Sequence, residues 1–286
     1  MDERTARLLV GLTSDFYRRF AGSFSDTRQG AWTGWGRCLE VVRAQLPGAR
    51  DGGDVDELDV LDLACGNLRF EQFFAEAVAP ARVRFHAFDD CDELAQPRSG
   101  ETHGGSDPAA ASAFGEAPAL DACAGAPLEV DYRHLDVMDS LFRGVRLVDV
   151  LGAPLCDLSV CFGFLHHMPL PEQRVEVLRA LVEKTRPGGL VAVSFWCFLD
   201  DPRFADKARA EHARAAAALD LPLLPVNDCV LSWQNNPDAH RYCHSFTQDE
   251  IDALVGSVSA RAQEVARFRA DGKTGAMNTY VVLRAL

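Results

Sequence analysis

The chain has 286 residues and a mass of 31.3 kDa, of which 48% are hydrophobic, 9% aromatic and 25% charged. A chain of that size and mixture buries a core, which excludes global disorder. Its 29 Lys and Arg against 42 Asp and Glu leave a net charge of −13. That balance disfavours any function in which the whole surface attracts nucleic acid or an anionic membrane, and leaves room for a local basic patch.

Residues 1–50 depart from this average, with eight Arg against five Asp or Glu. Two helices are predicted there, over 5–20 and 34–46. In the first, Leu8, Leu9, Leu12, Phe16 and Phe20 recur at helical spacing. Pro47 and Gly48 end the second, and DGGDVDE at 51–57 reads as a flexible acidic turn. The segment 1–50 is expected to form a helical cap, with a larger domain over 58–286.

LDVLDL at 58–63 reads as a buried strand that enters CGN and then a helical pattern, LRFEQFFAEAV, stopped by Pro80. VRFHAF at 83–88 is a second strand ending in Asp89 and Asp90. Strand, glycine turn, helix and strand begin a parallel α/β sheet. Residues 96–127 follow, where 18 of 32 are Gly, Pro or Ala. Such a stretch cannot build a core and is expected to be a flexible surface insertion.

The pattern resumes with a strand-like part in 128–137 and a buried strand, DLSVCFGF, at 157–164. A helix over 171–186 carries Val175, Leu178, Leu181 and Val182 on one face and stops at Arg186-Pro187-Gly188-Gly189. LVAVSFWCF at 190–198 is the next strand, and an Ala/Arg helix lies within 200–220. Residues 221–243 read as irregular. Thr247 is a plausible N-cap, with Glu250 completing a capping box for QDEIDALV. AQEVARFRA at 262–270 and NTYVVLRA at 278–285 are two closing strands. No internal repeat is evident.

The nine cysteines form no CxxC pair, and several lie in apolar runs, which reads as reduced, buried thiols. The opening MDERTARLLVGL lacks the features of a secretory signal, and no apolar run of membrane-spanning length occurs. A cytoplasmic, soluble protein with no membrane partner, monomeric or weakly dimeric, is expected.

The chemistry concentrates at strand ends. Gly66, in the turn after the first strand, lets backbone approach a ligand at the open end of an α/β sheet. A nucleotide fingerprint would carry glycine at 64, 66 and 68; here Ala64 and Leu68 replace two of them. Asp89 ends the second strand, where a carboxylate accepts from a ribose diol; Asp90 is the alternative after a small register change. Both acids read equally as solvated loop residues, and Gly66 as an ordinary tight turn.

Four blocks in order, VLDLACGN at 60–67, FHAFDD at 85–90, HLDVMD at 134–139, and FGFLHHMP at 162–169 followed by RPGGLVAVSFW at 186–196, resemble the class I S-adenosylmethionine-dependent methyltransferases. The likeness implies an α/β, Rossmann-like, seven-stranded, mostly parallel sheet with helices on both faces and an antiparallel last hairpin. It implies S-adenosyl-L-methionine as cofactor. Carried over residue by residue, Asp62 would face the methionine amino group, and Ala64, Cys65 and Gly66 would form the turn beneath the methionine. Asp89 would hold the ribose and Asp136 the adenine amino group. Phe162 and Gly163 would line the sulfonium and the substrate entrance. The departures are Ala64 and Leu68.

A narrower likeness covers LTSDFYRRFAGSFSDTRQGAWTGWGR at 12–37, FGFLHHMP at 162–169, SFWCFLD at 194–200 and RYCHSFTQDEIDALV at 241–255. These blocks resemble the tRNA wobble-uridine carboxymethyl methyltransferases, which esterify a carboxylate on a modified anticodon uridine. The acceptor implied is a tRNA carboxylate or nucleoside; the alternatives are an acidic metabolite, or a catalytically inactive partner protein. Candidate acceptor-side residues are His166, His167, Arg28 and Arg241, with 200–257 as the acceptor-side segment. A carboxylate is ionised near neutral pH, its ordinary pKa being about 4, so Arg28 and Arg241 suit it better than a histidine base does. His166 and His167 read equally as satisfied core histidines. No metal is expected, since neither they nor the cysteines show ligand spacing.

Overall fold

The structure is a computed structural model and describes residues 1–28, 30–46, 57–78, 82–95, 128–234 and 236–286. The expected insertion at 96–127, the acidic turn up to 56 and the helix stops at Pro47, Gly48 and Pro80 lie outside the described residues.

Two helices open the chain, α1 (Glu3–Asp26) and α2 (Thr33–Gln45). The Asp2 carboxylate caps α1 by accepting from the Thr5 N–H at 2.9 Å. Helix α1 runs six residues past the predicted end, carried by Ala21 and Phe24, which pack on Cys91 and Leu94. Leu9 and Phe16 are core, whereas Leu8 is 49% exposed: the buried stripe is Ala6, Leu9, Thr13 and Phe16.

The strands follow as β1 (Glu57–Leu63), β2 (Arg82–Asp89), β3 (Leu128–His134), β4 (Cys156–Cys161) and β5 (Thr185–Trp196). Later come β6 (Asp228–Trp233), β7 (Asn236–His244), β8 (Ala262–Ala270) and β9 (Asn278–Ala285). Seven of them form one sheet in the order β3-β2-β1-β4-β5-β9-β8. The first five pair in parallel, and β9 runs antiparallel to both β5 and β8. The expected α/β, Rossmann-like architecture with a reversed last hairpin is therefore what the chain adopts.

Strand β1 is central and covered on both faces, as parallel strands require. Its alternation assigns the faces. Val60 packs with Trp35, Phe70, Phe85 and Leu158, on the face covered by α2 and α3 (Arg69–Val78). Leu61 and Leu63 pack on the opposite face. That face is covered by α5 (Val137–Phe142), α6 (Leu147–Val150), α7 (Pro171–Glu183) and α9 (Gln248–Gly256). The short α4 (Asp92–Ala95) follows β2, and α8 (Pro202–Ala218) packs on β6.

Two expectations need correction. Arg186-Pro187-Gly188-Gly189 does not precede the fifth strand; it lies inside β5, where the register with β4 slips between Thr185 and Leu190. Gly188, at φ +82°, permits that irregularity. The region 221–243 is not irregular: β6 and β7 form a separate two-stranded antiparallel sheet. Its turn and proline residues hide a Cys-Val-Leu and a Tyr-Cys core that packs on α1 and α8. The capping box on α9 is present, Thr247 and Glu250 each accepting from the other's backbone.

Candidate active site

The chain leaves β1 at Leu63 and turns through 64–68 into α3. The N–H groups of Ala64 and Cys65 both donate to the Phe88 carbonyl, at 2.7 and 3.2 Å, which ties the turn to β2. Ala64, Gly66 and Leu68 have φ of +64°, +59° and +57°. The three alternate positions where glycine is usual thus keep the left-handed backbone even where glycine is replaced. Each non-glycine residue there carries a strain of roughly 1–2 kcal/mol. The turn is of the expected kind, held against local preference by its hydrogen bonds.

All the predicted cofactor residues line one cavity at the carboxyl ends of the parallel strands: Asp62, Ala64, Cys65, Gly66, Asp89, Asp90, Asp136, Phe162 and Gly163. Asp89 is 9% exposed, and its two oxygens accept from the Gly66 and Cys91 N–H groups at 2.8 and 2.9 Å. Each oxygen keeps a further lone pair for a ligand hydroxyl. Burial raises the Asp89 carboxyl above its ordinary range, against the pull of those N–H groups. Burial, then the charges of Asp89 and Asp136, push Asp90 up to about 6. Asp136 caps α5, one oxygen accepting from the Asp139 N–H at 2.7 Å. Leu94, Leu135, Val137 and Met138 line the cavity beside it as an apolar slot.

Phe162 and Gly163 stand where β4 ends. The Gly163 N–H donates to the Ser194 hydroxyl at 3.0 Å, and its φ is +74°. A side chain on Gly163 would meet the Trp32 ring at 3.0 Å. Trp32 stacks on Trp35 with ring centroids 5.2 Å apart, so the segment joining α1 and α2 closes over this strand end. Arg69 fastens it there, donating to the Gly30 carbonyl at 2.7 Å and to Asn67 at 2.9 Å.

The opposite wall is built from α1, Arg28 and the 3-10 turn Leu165–His167, with β7 packed behind α1. Arg28 and His167 line the cavity; Arg241 and His166 lie behind its surface. The Arg28 guanidinium lies 4.1 Å from the Phe24 ring centroid and 4.9 Å from that of Trp233. Arg241 is 8% exposed and lies 5.1 Å from both Phe16 and Trp233. Its Nε and Nη1 have no hydrogen-bond partner among the described residues. Burial and the nearby Arg241 charge lower Arg28 to about 9. Two guanidinium groups share one aromatic enclosure.

His167 is fully engaged. Its Nδ1 lies 2.7 Å from the Tyr242 carbonyl, which only accepts, so Nδ1 carries the proton. Nε2 then accepts from the Tyr17 hydroxyl at 2.9 Å. Burial and the Arg241 charge lower His167 to about 3, so the ring is neutral. His166 packs on Trp196 at 5.0 Å, and burial with the neighbouring His167 lowers it well below its ordinary value. A ring nitrogen of each and the Cys243 sulfur lie within 4.8 Å of one another. Sequence spacing could not find this group, because Cys243 arrives on β7. The two bonds of His167 and the Arg241 cation beside it oppose a bound metal ion there. The eight cysteines among the described residues are buried and unpaired.

Sequence reasoning missed Arg69, Trp233 and Glu71. Glu71 carried a signal: with Phe74, Ala75 and Val78 it lies on the buried stripe of α3, so a charge stands on an apolar face.

No family model matches the sequence, and no curated protein matches it. Solved structures do. A SAM-dependent methyltransferase from Methanosarcina mazei is similar at 13% identity with a TM-score of 0.53, over 86% of this chain and 97% of that one. DhpI, in a complex with SAM and HEP, is similar at 13% identity with a TM-score of 0.53, over 96% and 97%. The CcbJ methyltransferase from Streptomyces caelestis is similar at 15% identity with a TM-score of 0.51, over 96% and 98%. By its strand order, its reversed β9 and these likenesses, the chain has the Rossmann-like fold of the class I SAM-dependent methyltransferases.

Proposed function

We propose that the chain binds S-adenosyl-L-methionine at the strand ends and methylates a small acceptor through a carboxylate. The observation that carries this reading is the pairing of two unlike walls in one place. Acids and an apolar slot suited to an adenosyl group face a wall that holds Arg28 and, just behind it, the buried and incompletely partnered Arg241. Described residues of segment 1–50 line the acceptor side, and segment 200–257 backs them through β7.

The residues fit the cofactor. Asp89 has lone pairs left for a ribose diol, and Asp136 stands at the apolar slot for an adenine amino group. Asp62, 2% exposed at the end of β1, is placed for an ammonium. When bound, the cofactor supplies an electrophilic methyl group on a sulfonium. An acceptor carboxylate is already ionised, so the protein need not remove a proton from it. Arg28 would align it, Arg241 behind the lining would help balance its charge, and Trp32 and Phe24 would exclude water. His167 is not used as a base, because its one lone pair already receives the Tyr17 hydroxyl. Its role is to hold Tyr17 and so the α1 wall.

A tRNA acceptor gains no support. A basic patch for RNA would need Arg18, Arg19, Arg28 and Arg37; Arg28 faces the cavity, Arg18 pairs with Asp15 at 3.4 Å, Arg19 lies over Phe20 and Arg37 over Phe268. A screen of labelled methyl transfer from S-adenosylmethionine onto pooled carboxylic metabolites and onto small RNA tests the reading. An alkali-labile ester in the metabolite pool is expected. Transfer only to RNA, or no transfer by a protein that binds the cofactor, would overturn it.

A further inference from the structure

The first turn of α3 holds a carboxyl group with no evident use. Glu71 is 0% exposed, and neither of its oxygens receives a hydrogen bond from any described residue. It does not line the cavity. A buried ionised carboxylate left without donors costs several kcal/mol, about 1–3 even for a neutral group, so its neighbours must explain it.

Those neighbours are Asp62 at the end of β1, Asp89 at the end of β2, and Arg69 on its own helix. Asp62 shares the sheet face of Val60, the face that α3 covers and on which Glu71 is buried, and the two carboxyl groups come within hydrogen-bonding reach of each other. Arg69 gives Nε to Asn67 and Nη1 to Gly30, so it acts on Glu71 by its charge. Two buried carboxyl groups in contact do not both ionise; one proton between them makes a donor of one and an acceptor of the other. Burial raises both above the ordinary carboxylate range; the Glu71 charge raises Asp62 further and the Asp89 charge raises Glu71, while the hydrogen bond with Asp62 through that proton pulls Glu71 the other way.

Resting on the cofactor reading above, we infer that Asp62 and Glu71 share one proton in the free protein and release it when the ligand's ammonium settles on Asp62. The cavity exposes Asp62 alone, so Glu71 acts through it as a positioning residue. An ammonium beside Asp62 supplies positive charge and N–H donors, which the shared proton otherwise provides. The proton then leaves to solvent, and both carboxylates are ionised in the complex, with the ammonium balancing Asp62 and the Arg69 charge on the same helix balancing Glu71. Affinity for any ligand with that ammonium therefore rises with pH over the range in which the free pair still holds its proton.

Calorimetric titration of the full chain with S-adenosylhomocysteine near pH 7, in phosphate, Hepes and Tris, reads the proton count from the dependence of heat on buffer ionisation enthalpy. Release of about one proton is expected from the unaltered protein. In Glu71→Gln, binding is retained within about tenfold and the release falls to near zero. Methylthioadenosine, which keeps the adenosyl half but lacks the ammonium, separates this pair from Asp89 and Asp90; it is expected to bind without releasing the proton. Buffer-independent heat of S-adenosylhomocysteine binding would overturn the inference, as would equal release with methylthioadenosine or undiminished release in Glu71→Gln. Failure of both ligands to bind would instead overturn the cofactor reading.

Discussion

The two walls of the cavity are made in different ways. The cofactor wall comes from strand ends and turns within residues 62–163, each side chain placed by the strand it ends. The wall proposed for the acceptor rests on α1 and on β7 behind it, residues more than 200 positions apart, as in the 3.0 Å bond from the Tyr242 N–H to the Thr13 hydroxyl. The first wall is acidic and fixed by backbone hydrogen bonds. The second is cationic and aromatic, and is held by packing. Specificity can therefore change on one side without disturbing the other, as expected when function is grafted on a common fold.

Removing Arg241 should separate the walls most sharply. Arg241→Leu is expected to lower methyl transfer about 100-fold, from loss of the buried positive charge behind Arg28 that attracts the acceptor carboxylate. Cofactor affinity should stay within about twofold, and the thermal midpoint should hold or rise, since a poorly partnered buried charge is lost. Parallel loss of cofactor affinity in titrations of that variant would merge the two walls into one unit.

The walls should also respond oppositely to pH. His166 and His167 titrate below their ordinary 6.5 in the folded chain. The unfolded chain therefore binds protons that the folded one refuses, and stability falls as pH drops below that value. The cost is on the order of 2 kcal/mol per ring at about pH 5. Asp62, Glu71 and Asp89 titrate above their ordinary values. There the folded chain keeps protons that the unfolded one has lost, so stability falls as pH rises from the ordinary carboxylate range toward the raised values. Melting curves from pH 5 to 8 should show Glu71→Gln gaining on the unaltered protein as pH rises. A constant difference would contradict the protonated pair.

The smallest effect belongs to the turn. Leu68→Gly removes a side chain from φ +57° and should stabilise by about 1 kcal/mol, less the entropy glycine adds to the unfolded chain. A drop in melting temperature would mean that Leu68 packing outweighs its backbone strain.

The cofactor wall was legible in sequence because parallel strands are continuous apolar runs and their ends fall where those runs stop. Thus Gly66, Asp89 and the hairpin over 262–285 could be numbered in advance, while Asp62 and Phe162 came with the resemblance. The same local reading placed Pro187-Gly188-Gly189 ahead of a strand, since a bulge looks like a stop signal in one chain of letters. The β6–β7 hairpin was hidden by its prolines and asparagines. Its strands derive their order from α1 and α8, which no window across 221–243 contains. Arg241 was found through a resemblance, while Trp233, its aromatic partner, was not. Glu71 was visible as a charge on an apolar helical face, but its neighbour Asp62 is supplied by the sheet.

Titration of S-adenosylhomocysteine into the unaltered chain, Asp89→Ala and Arg241→Leu tests the division of labour most directly. The account predicts binding to the unaltered chain, a loss of about 10- to 100-fold in Asp89→Ala with folding retained, and near-unchanged binding in Arg241→Leu. Equal affinity of Asp89→Ala and the unaltered chain would contradict it.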